Sequence, residues 1–169
     1  MENINSLVQS PKRITVSTAG ISDGIKRLGD DKAKFQLAVS LHSANQRKRE
    51  EIMPIAHKYT VGDLSDAIKY YHEKTGSRIT IEYLLLFDFN DSNKDVRDLA
   101  AFCLSFPVKI NIIEYNEIDE IFYKRSTPER TKQFKSFLED RNLIVNIRQS
   151  RGDDIYAACG QLANRAKTN

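Results

Sequence analysis

Residues Arg78–Leu86 read RITIEYLLL, an apolar run whose length and content of Ile, Leu and Tyr predict a buried β-strand. The stretch before it, 61–74, places four apolar residues on one helical face: Leu64, Ala67, Ile68 and Tyr71. The stretch after it, 92–105, does the same with Val96, Leu99, Ala100 and Cys103. A strand between two amphipathic helices predicts a βα architecture with parallel strands.

Four further runs have the composition of strands: Arg13–Thr18, Phe35–Leu41, Val108–Ile113 and Leu143–Arg148. A third helix is predicted over Thr127–Asn142, because Ser126 and Glu129 form an SxxE start signal. Together these elements predict an α/β fold of about four parallel strands, joined by right-handed crossovers and followed by a carboxyl-terminal strand and tail. A closed eight-stranded barrel needs about 200–250 residues, so the length of the chain allows either an open sheet or part of a barrel.

The composition limits the classes of protein to which the chain can belong. It has 169 residues, of which 40% are hydrophobic and 29% charged, and this suits one globular domain over residues 1–169. No apolar run is long enough to cross a bilayer and the opening MENINSLVQS does not resemble a signal peptide, so we expect no membrane association. Cys103 and Cys159 are too few for a disulfide framework or a CxxC metal site, and they favour a cytoplasmic protein.

The net charge of +3 is too small to indicate nucleic-acid binding by itself. Cations are enriched towards the carboxyl terminus: Lys124, Arg125, Arg130, Lys132, Lys135, Arg141, Arg148, Arg151, Arg165 and Lys167. Two explanations stay open, a solvated basic face and an electrostatic footprint for phosphate groups.

Polar residues follow the predicted strands, at the edge where parallel sheets bind ligands. Ser17 opens a Ser-Thr-Ala-Gly turn, which either holds a polar ligand or caps the next helix. Ser40, Leu41 and His42 end the second strand, and His42 is a base, a ligand-binding donor or a structural histidine. Asn116 follows the fourth strand and suits either recognition of a base or carboxylate, or a turn.

Other chemically distinctive residues also allow more than one interpretation. Glu82, inside the RITIEYLLL run, either faces a barrel lumen or pairs with a neighbouring cation. The DFND segment after that run is interpreted as an acidic turn and helix cap. Cys159 lies in an Ala-Ala-Cys-Gly segment whose small residues suit an accessible thiol, but composition leaves a reactive and an inert cysteine equally open.

Several motifs occur together in one order: ITVSTAG (14–20), LAVSLHSAN (37–45), TIEYLLL (80–86), KINII-x-YN (109–116) and RGDDIYAACGQL (151–162). From about Lys12 to Leu162, this ordered set resembles the carboxyl-terminal part of the radical S-adenosylmethionine (SAM) RNA adenine C2-methyltransferases of the RlmN type. The related C8-methyltransferases of the Cfr type share much of the pattern.

The resemblance implies a partial (βα) barrel of the radical SAM type, with βα units over 12–142 and a terminal strand and cysteine-bearing tail over 143–169. It implies cofactor contacts to SAM at five positions: Ser17, Ser40, Leu41, His42 and Asn116. It further implies a [4Fe–4S] cluster in complete members and an electron donor such as flavodoxin. Cys159 matches the cysteine that carries the methyl group to C2 of adenine in 23S rRNA and tRNA.

The sequence also departs from the family pattern. The CxxxCxxC cluster motif and the GxGE segment are absent, and acidic residues occupy a loop after Asn116 that usually contains Pro and Gly. We therefore expect the chain alone to be inactive and an amino-terminal half to complete the enzyme. A non-catalytic RNA-binding module derived from this fold is the alternative. Because the strands that should flank Arg13–Thr18 are missing, we also expect an exposed hydrophobic edge that favours dimerisation.

Overall fold

The computed structural model of the protein describes residues 14–33, 35–117 and 122–148. Within these ranges the strands are β1 (Thr15–Thr18), β2 (Gln36–Ser40), β3 (Ile79–Leu85), β4 (Val108–Glu114) and β5 (Ile144–Arg148). The helices are α1 (Ser22–Asp30), α2 (Gln46–Ile52), α3 (Val61–Thr75), α4 (Asn93–Cys103) and α5 (Pro128–Glu139), with a 3₁₀ helix over Pro54–His57. In this described part, no helix combines the length and the apolar character needed to cross a bilayer.

All five strands lie in one parallel sheet in the order β1-β2-β3-β4-β5. The predicted α/β fold with parallel strands is confirmed. Each strand pairs with the next one along the chain, whereas a doubly wound sheet reverses its strand order at a switch point. Sequential order without reversal is the arrangement of consecutive strands in a (βα) barrel.

One core joins the sheet to four helices. Along β3, Ile79, Ile81, Tyr83 and Leu85 are buried, while the residues between them are half-buried. The buried set belongs to a single apolar cluster with residues of α1, α3, α4 and α5: Ile25, Leu64, Ile68, Tyr71, Leu99, Phe134 and Leu138. The opposite side of the sheet, which we call the inner face, carries Ser17, Ser40, Glu82, Asn111, Asn146 and Arg148.

Capping side chains set the ends of two predicted helices. α3 begins at a capping box formed by Thr60 and Asp63, and it ends at Gly76, whose φ of +66° is in the left-handed region that favours glycine. α4 begins at a second capping box, formed by Ser92 and Asp95. Both helices therefore start and stop where the chain's own side chains and backbone satisfy the terminal polar groups.

The predicted start of the third helix is wrong by one residue. Thr127 is the N-cap of α5, because its hydroxyl accepts the N–H of Arg130. Ser126 is buried instead and donates a hydrogen bond to the Asp91 carboxylate. α1 and α2 are not among the predicted helices, and α2 reads QRKREEI, which has no apolar periodicity.

β1 is an edge strand of the described sheet, as expected. Its residues alternate between exposed and half-buried, and the flanking Ile14 and Ile21 are both exposed. An unpaired strand edge offers backbone N–H and C=O groups to another chain. Dimerisation through this edge stays a prediction.

An Ile→Ala substitution should lower the free energy of unfolding by different amounts on the two faces of the sheet. Ile81 is completely buried on β3, whereas Ile144 on the inner face of β5 is 49% exposed. Ile81→Ala should lower the free energy of unfolding by about 2–5 kcal/mol because it leaves a cavity in the core. Ile144→Ala should cost less than about 1 kcal/mol. Urea denaturation measures both, and equal losses would contradict a core on one side of the sheet.

Candidate cofactor site

Four polar side chains lie next to one another across the inner face. The strand register pairs Ser40 with Glu82, Glu82 with Asn111, and Asn111 with Asn146. We call these four residues the polar row. Because paired residues of a parallel sheet share a face, residues 42, 29 and 35 positions apart in the chain become neighbours, and the row joins four strands.

The structure places most of the predicted site residues at the carboxyl ends of the strands. Ser17 is exposed on the inner face of β1, and Ser40 is the half-buried last residue of β2. Leu41 is completely buried, so its side chain belongs to the core. Asn116 is half-buried and lies two residues after β4. Cys159 lies outside the described residues.

His42 is held in an unusual backbone conformation. Its φ is +55°, which few residues other than glycine adopt. The N–H of Leu41 donates to the Glu82 carbonyl oxygen (3.0 Å), and the N–H of Leu84 donates to His42 Nδ1 (3.0 Å). Because Nδ1 accepts a hydrogen bond, Nε2 carries the ring proton. Burial and then the positive charge of Arg49 lower the pKa of His42 to about 4, so the imidazole is neutral at pH 7.

Asn90 fixes the ends of two neighbouring strands. Its Nδ2 donates to the carbonyl oxygens of His42 (2.6 Å) and Leu84 (2.8 Å), and its Oδ1 accepts the N–H of Leu86 (2.7 Å). The residue is completely buried. The interpretation of the DFND segment as a helix cap is wrong, because Ser92 caps α4 and Asn90 joins the end of β2 to the end of β3.

Further polar contacts connect the segments that follow β2, β3 and β4. Lys48 of α2 forms an ion pair with Asp95 of α4 (2.7 Å) and donates to the carbonyl oxygen of Phe89 in the loop after β3. The hydroxyl of Ser126, in the loop after β4, donates to Asp91 Oδ2 at 2.7 Å. Helix α2 and the loops after β3 and β4 are therefore connected at the edge where the predicted site residues lie.

Arg49 is a buried cation that the sequence analysis does not identify. It is completely buried; Nη2 donates to the Ala19 carbonyl oxygen (2.8 Å) and Nη1 to that of Tyr59 (3.3 Å). Burial lowers the pKa of its guanidinium to about 10. A Cβ at Gly20, whose φ is +98°, would lie 2.6 Å from Nη2. Gly20 is therefore required both by its backbone conformation and by the close approach of Arg49.

Five buried side-chain atoms in the described part of the chain lack a hydrogen-bond partner: Ser22 Oγ, Arg49 Nε, Glu82 Oε2, Tyr115 Oη and Asn116 Nδ2. Such a group costs about 1–3 kcal/mol when no partner compensates for lost water. Three of the five belong to β3 and the residues just after β4. The carboxyl edge of the sheet therefore has both donor and acceptor capacity left for a ligand.

Several of the basic residues near the carboxyl terminus have partners within the fold. Arg125 forms an ion pair with Glu114, and Lys135 forms one within α5. The Arg141 guanidinium lies 3.6 Å from the centroid of the Phe137 ring. At these three residues the contacts favour the solvated basic face over a footprint for phosphate groups. Arg151, Arg165 and Lys167 lie outside the described residues.

The chain is similar over most of its length to curated RNA methyltransferases. A relative from Christiangramia forsetii, named a probable dual-specificity RNA methyltransferase RlmN, is 48% identical over 160 residues, which are 95% of this chain and 46% of the relative. A relative of the same name from Flavobacterium psychrophilum is 46% identical over 159 residues, 94% of this chain and 46% of the relative. The chain is the carboxyl-terminal part of an RlmN-type radical SAM methyltransferase.

A solved structure agrees with the RlmN assignment. The crystal structure of a radical SAM methyltransferase from Sphaerobacter thermophilus matches with a TM-score of 0.84 and 37% identity, over 90% of this chain and 45% of that chain. No protein-family model matches the sequence. The chain spans about half the length of the curated relatives it matches, and it corresponds to the carboxyl-terminal part of RlmN. The resemblance stated from the ordered motifs is confirmed.

The RlmN family uses SAM and a [4Fe–4S] cluster. The strand-end residues fit a nucleoside cofactor, because His42 Nε2 carries a proton and Asn116 Nδ2 is a buried donor without a partner. The described residues do not fit the cluster, since they hold no group of three or more His, Cys, Asp or Glu residues that could bind a metal. Cys103 is buried on α4, where burial raises the pKa of its thiol to about 12 and disfavours the thiolate.

The low pKa of His42 makes stability depend on pH. Below pH 6.5 the unfolded chain takes up a proton that the folded chain does not bind until about pH 4. The contribution of the neutral His42 to the free energy of unfolding is therefore fully present above pH 6.5. About 3 kcal/mol of this free energy is lost between pH 7 and pH 4. Urea denaturation at both pH values should show this loss in the wild type beyond the loss in His42→Gln, which does not titrate. Equal pH dependence of the two proteins would contradict the neutral, buried state of His42.

Proposed function

We propose that this chain forms the nucleoside-binding side of a radical SAM methyltransferase that methylates C2 of adenine in 23S rRNA and tRNA. The observation that carries the proposal is the buried, unpartnered Nδ2 of Asn116 at the same sheet edge as the neutral His42. The RlmN name of the relatives favours C2 over C8 as the methylated carbon.

In this proposal the strand-end residues position the adenosyl group. When bound, SAM supplies the methyl group that is transferred. The Ser17 and Ser40 hydroxyls and His42 Nε2 offer hydrogen bonds to its polar atoms, and Asn116 Nδ2 donates to an acceptor atom. Leu41 contributes packing beneath the site, because its side chain is completely buried. A neutral His42 donates without placing a second positive charge near the cationic sulfonium.

The proposed carrier of the methyl group is the Cys159 sulfur. C2 of adenine is an electron-poor ring carbon and a poor nucleophile, so direct methyl transfer to it is unfavourable, whereas a cysteine sulfur is a good methyl acceptor. The whole sequence has two cysteines, fewer than the three of a CxxxCxxC motif. We therefore expect no methyltransferase activity from the chain alone. An amino-terminal half and an electron donor such as flavodoxin would complete the system.

Complementation tests the proposed reaction. The chain is combined with the amino-terminal half of the Christiangramia forsetii relative, reconstituted with iron and sulfide, and supplied with SAM, a reductant and 23S rRNA or tRNA. We expect 2-methyladenosine in the digested RNA by mass spectrometry. Cys159→Ala should remove the product, because no sulfur remains to carry the methyl group.

Cys103→Ala is the matched control and should retain the product, since Cys103 lies buried on α4. Product from the Cys159→Ala protein would contradict the proposed carrier. 8-Methyladenosine in place of 2-methyladenosine would contradict C2 methylation. RNA binding without any product from a folded, reconstituted pair would favour the non-catalytic binding module.

Nucleoside binding by the chain tests the proposed role of Asn116. Asn116→Asp replaces the Nδ2 donor with an acceptor of the same shape, and it should weaken binding of 5′-deoxyadenosine about 10-fold. The control Asn93→Asp makes the same chemical change at the exposed first residue of α4 and should leave binding unchanged. Titration followed by nuclear magnetic resonance (NMR) measures both dissociation constants. Equal affinities of the two variants would contradict a contact to Asn116.

A further inference from the structure

Glu82 is the one carboxylate on the inner face among the residues of β1–β5. It lies on β3 between Ser40 of β2 and Asn111 of β4 in the strand register. Its side chain is only 14% exposed. A carboxylate this far removed from water needs hydrogen-bond donors at both of its oxygen atoms.

The protein supplies donors to one of the two oxygens. Glu82 Oε1 accepts a hydrogen bond from Asn111 Nδ2 (2.9 Å), and Arg148 Nη1 lies 3.6 Å from the same atom. Oε2 is buried and has no partner among the described residues. The interpretation that Glu82 pairs with a neighbouring cation is thus met by Arg148, whereas its position towards a barrel lumen stays a prediction.

The hydrogen bonds of the polar row prevent Asn111 from serving as the missing donor to Glu82 Oε2. Asn146 Nδ2 donates to Asn111 Oδ1 (3.4 Å), which leaves Asn111 Nδ2 to donate to Glu82 Oε1. The amide of Asn111 therefore cannot rotate to serve Oε2 without losing both contacts. The network runs across β5, β4 and β3 and ends at an acceptor without a donor.

The backbone of Glu82 holds the segment that contains the proposed cofactor contacts Ser40, Leu41 and His42. The N–H groups of Leu41 and His42 both donate to the Glu82 carbonyl oxygen, at 3.0 and 3.4 Å. Ser40 is the register partner of Glu82 on β2. The vacant Oε2 thus belongs to the residue whose backbone holds the predicted Ser40–His42 segment.

We infer that Glu82 is a further cofactor-binding residue, whose Oε2 accepts a hydrogen bond from a donor group of SAM. The inference rests on the proposed function. SAM carries three kinds of donor that could serve this atom: the ribose hydroxyls, the ammonium group of its amino-acid part and the amino group of its adenine. Acidic side chains bind ribose hydroxyls in the same way in dinucleotide-binding sheets.

Glu82→Gln tests the inference with little change of shape. The glutamine keeps an oxygen acceptor for Asn111 but places an NH₂ group where Oε2 was, so it cannot accept from the cofactor. Binding of SAM to the chain should weaken about 10-fold. Glu139→Gln removes the same charge from the exposed end of α5 and should leave binding unchanged.

Two further nucleosides distinguish the sources of the donor. If the ribose is the donor, Glu82→Gln lowers the affinity for 5′-deoxyadenosine as it does for SAM, whereas 2′,3′-dideoxyadenosine binds the variant and the wild type with equal affinity. If the ammonium group is the donor, Glu82→Gln lowers the affinity for SAM but leaves the affinity for 5′-deoxyadenosine unchanged. If the adenine amino group is the donor, Glu82→Gln lowers the affinity for SAM and for both nucleosides. Each of these three results supports Glu82 as a cofactor-binding residue.

Unchanged affinity of Glu82→Gln for both SAM and 5′-deoxyadenosine would overturn the inference while the proposed function stands, provided that Asn116→Asp still weakens binding. Absence of nucleoside binding by the wild-type chain would instead contradict the proposed function and the inference with it. If Glu82→Gln does not give a native NMR spectrum, Glu82→Asp replaces it. This variant keeps the charge but withdraws both oxygens by one methylene, so it should also weaken binding, and wild-type affinity would overturn the inference.

Discussion

Sequential pairing of five parallel strands is the constraint on which the rest of the structure depends. Because all five strands are parallel, their carboxyl ends lie at one edge of the sheet, and the sequential order places consecutive strand ends side by side. The apolar residues of α1, α3, α4 and α5 join one face of the sheet in a single core. Polar residues are therefore accommodated on the inner face, where Ser40, Glu82 and Asn111 form a continuous row.

Buried polar contacts keep the strand ends in place. Asn90 connects the ends of β2 and β3 through its side-chain amide, and it holds His42 in a left-handed conformation that would otherwise be unfavourable. Arg49 binds the carbonyl oxygens of Ala19 and Tyr59 from a completely buried position. The costs of burying these groups are offset only while the loops keep this arrangement, so the geometry of the site is fixed before a ligand binds.

The sheet could be predicted from the sequence because its strands are short, apolar runs bounded by amphipathic helices. α2 could not, since QRKREEI has no apolar face and its one buried residue, Arg49, is of a type that is almost always exposed. The SxxE pattern predicts Ser126 as the residue that precedes and caps α5, because this pattern is a local signal. The tertiary hydrogen bond from Ser126 to Asp91 is not encoded locally.

The positions of the candidate site residues were predictable for a related reason. Ser40, His42 and Asn116 follow strands, and parallel strands bring their ends together. The roles of Asn90 and Glu82 depend on partners 48 and 29 positions away, so no local pattern reveals them. The neutral state of His42 likewise results from burial and from Arg49, which become visible only in the folded chain.

Binding of a nucleoside at the carboxyl edge of the inner face is the property from which the proposed function follows. The most direct test is a two-dimensional NMR titration of the ¹⁵N-labelled chain with 5′-deoxyadenosine, with nuclear Overhauser effects recorded from the ribose and adenine protons. We expect the largest amide shifts and the intermolecular effects at four residues: Ser40, His42, Glu82 and Asn116. Shifts confined to the helices, or no shifts at saturating nucleoside, would contradict it.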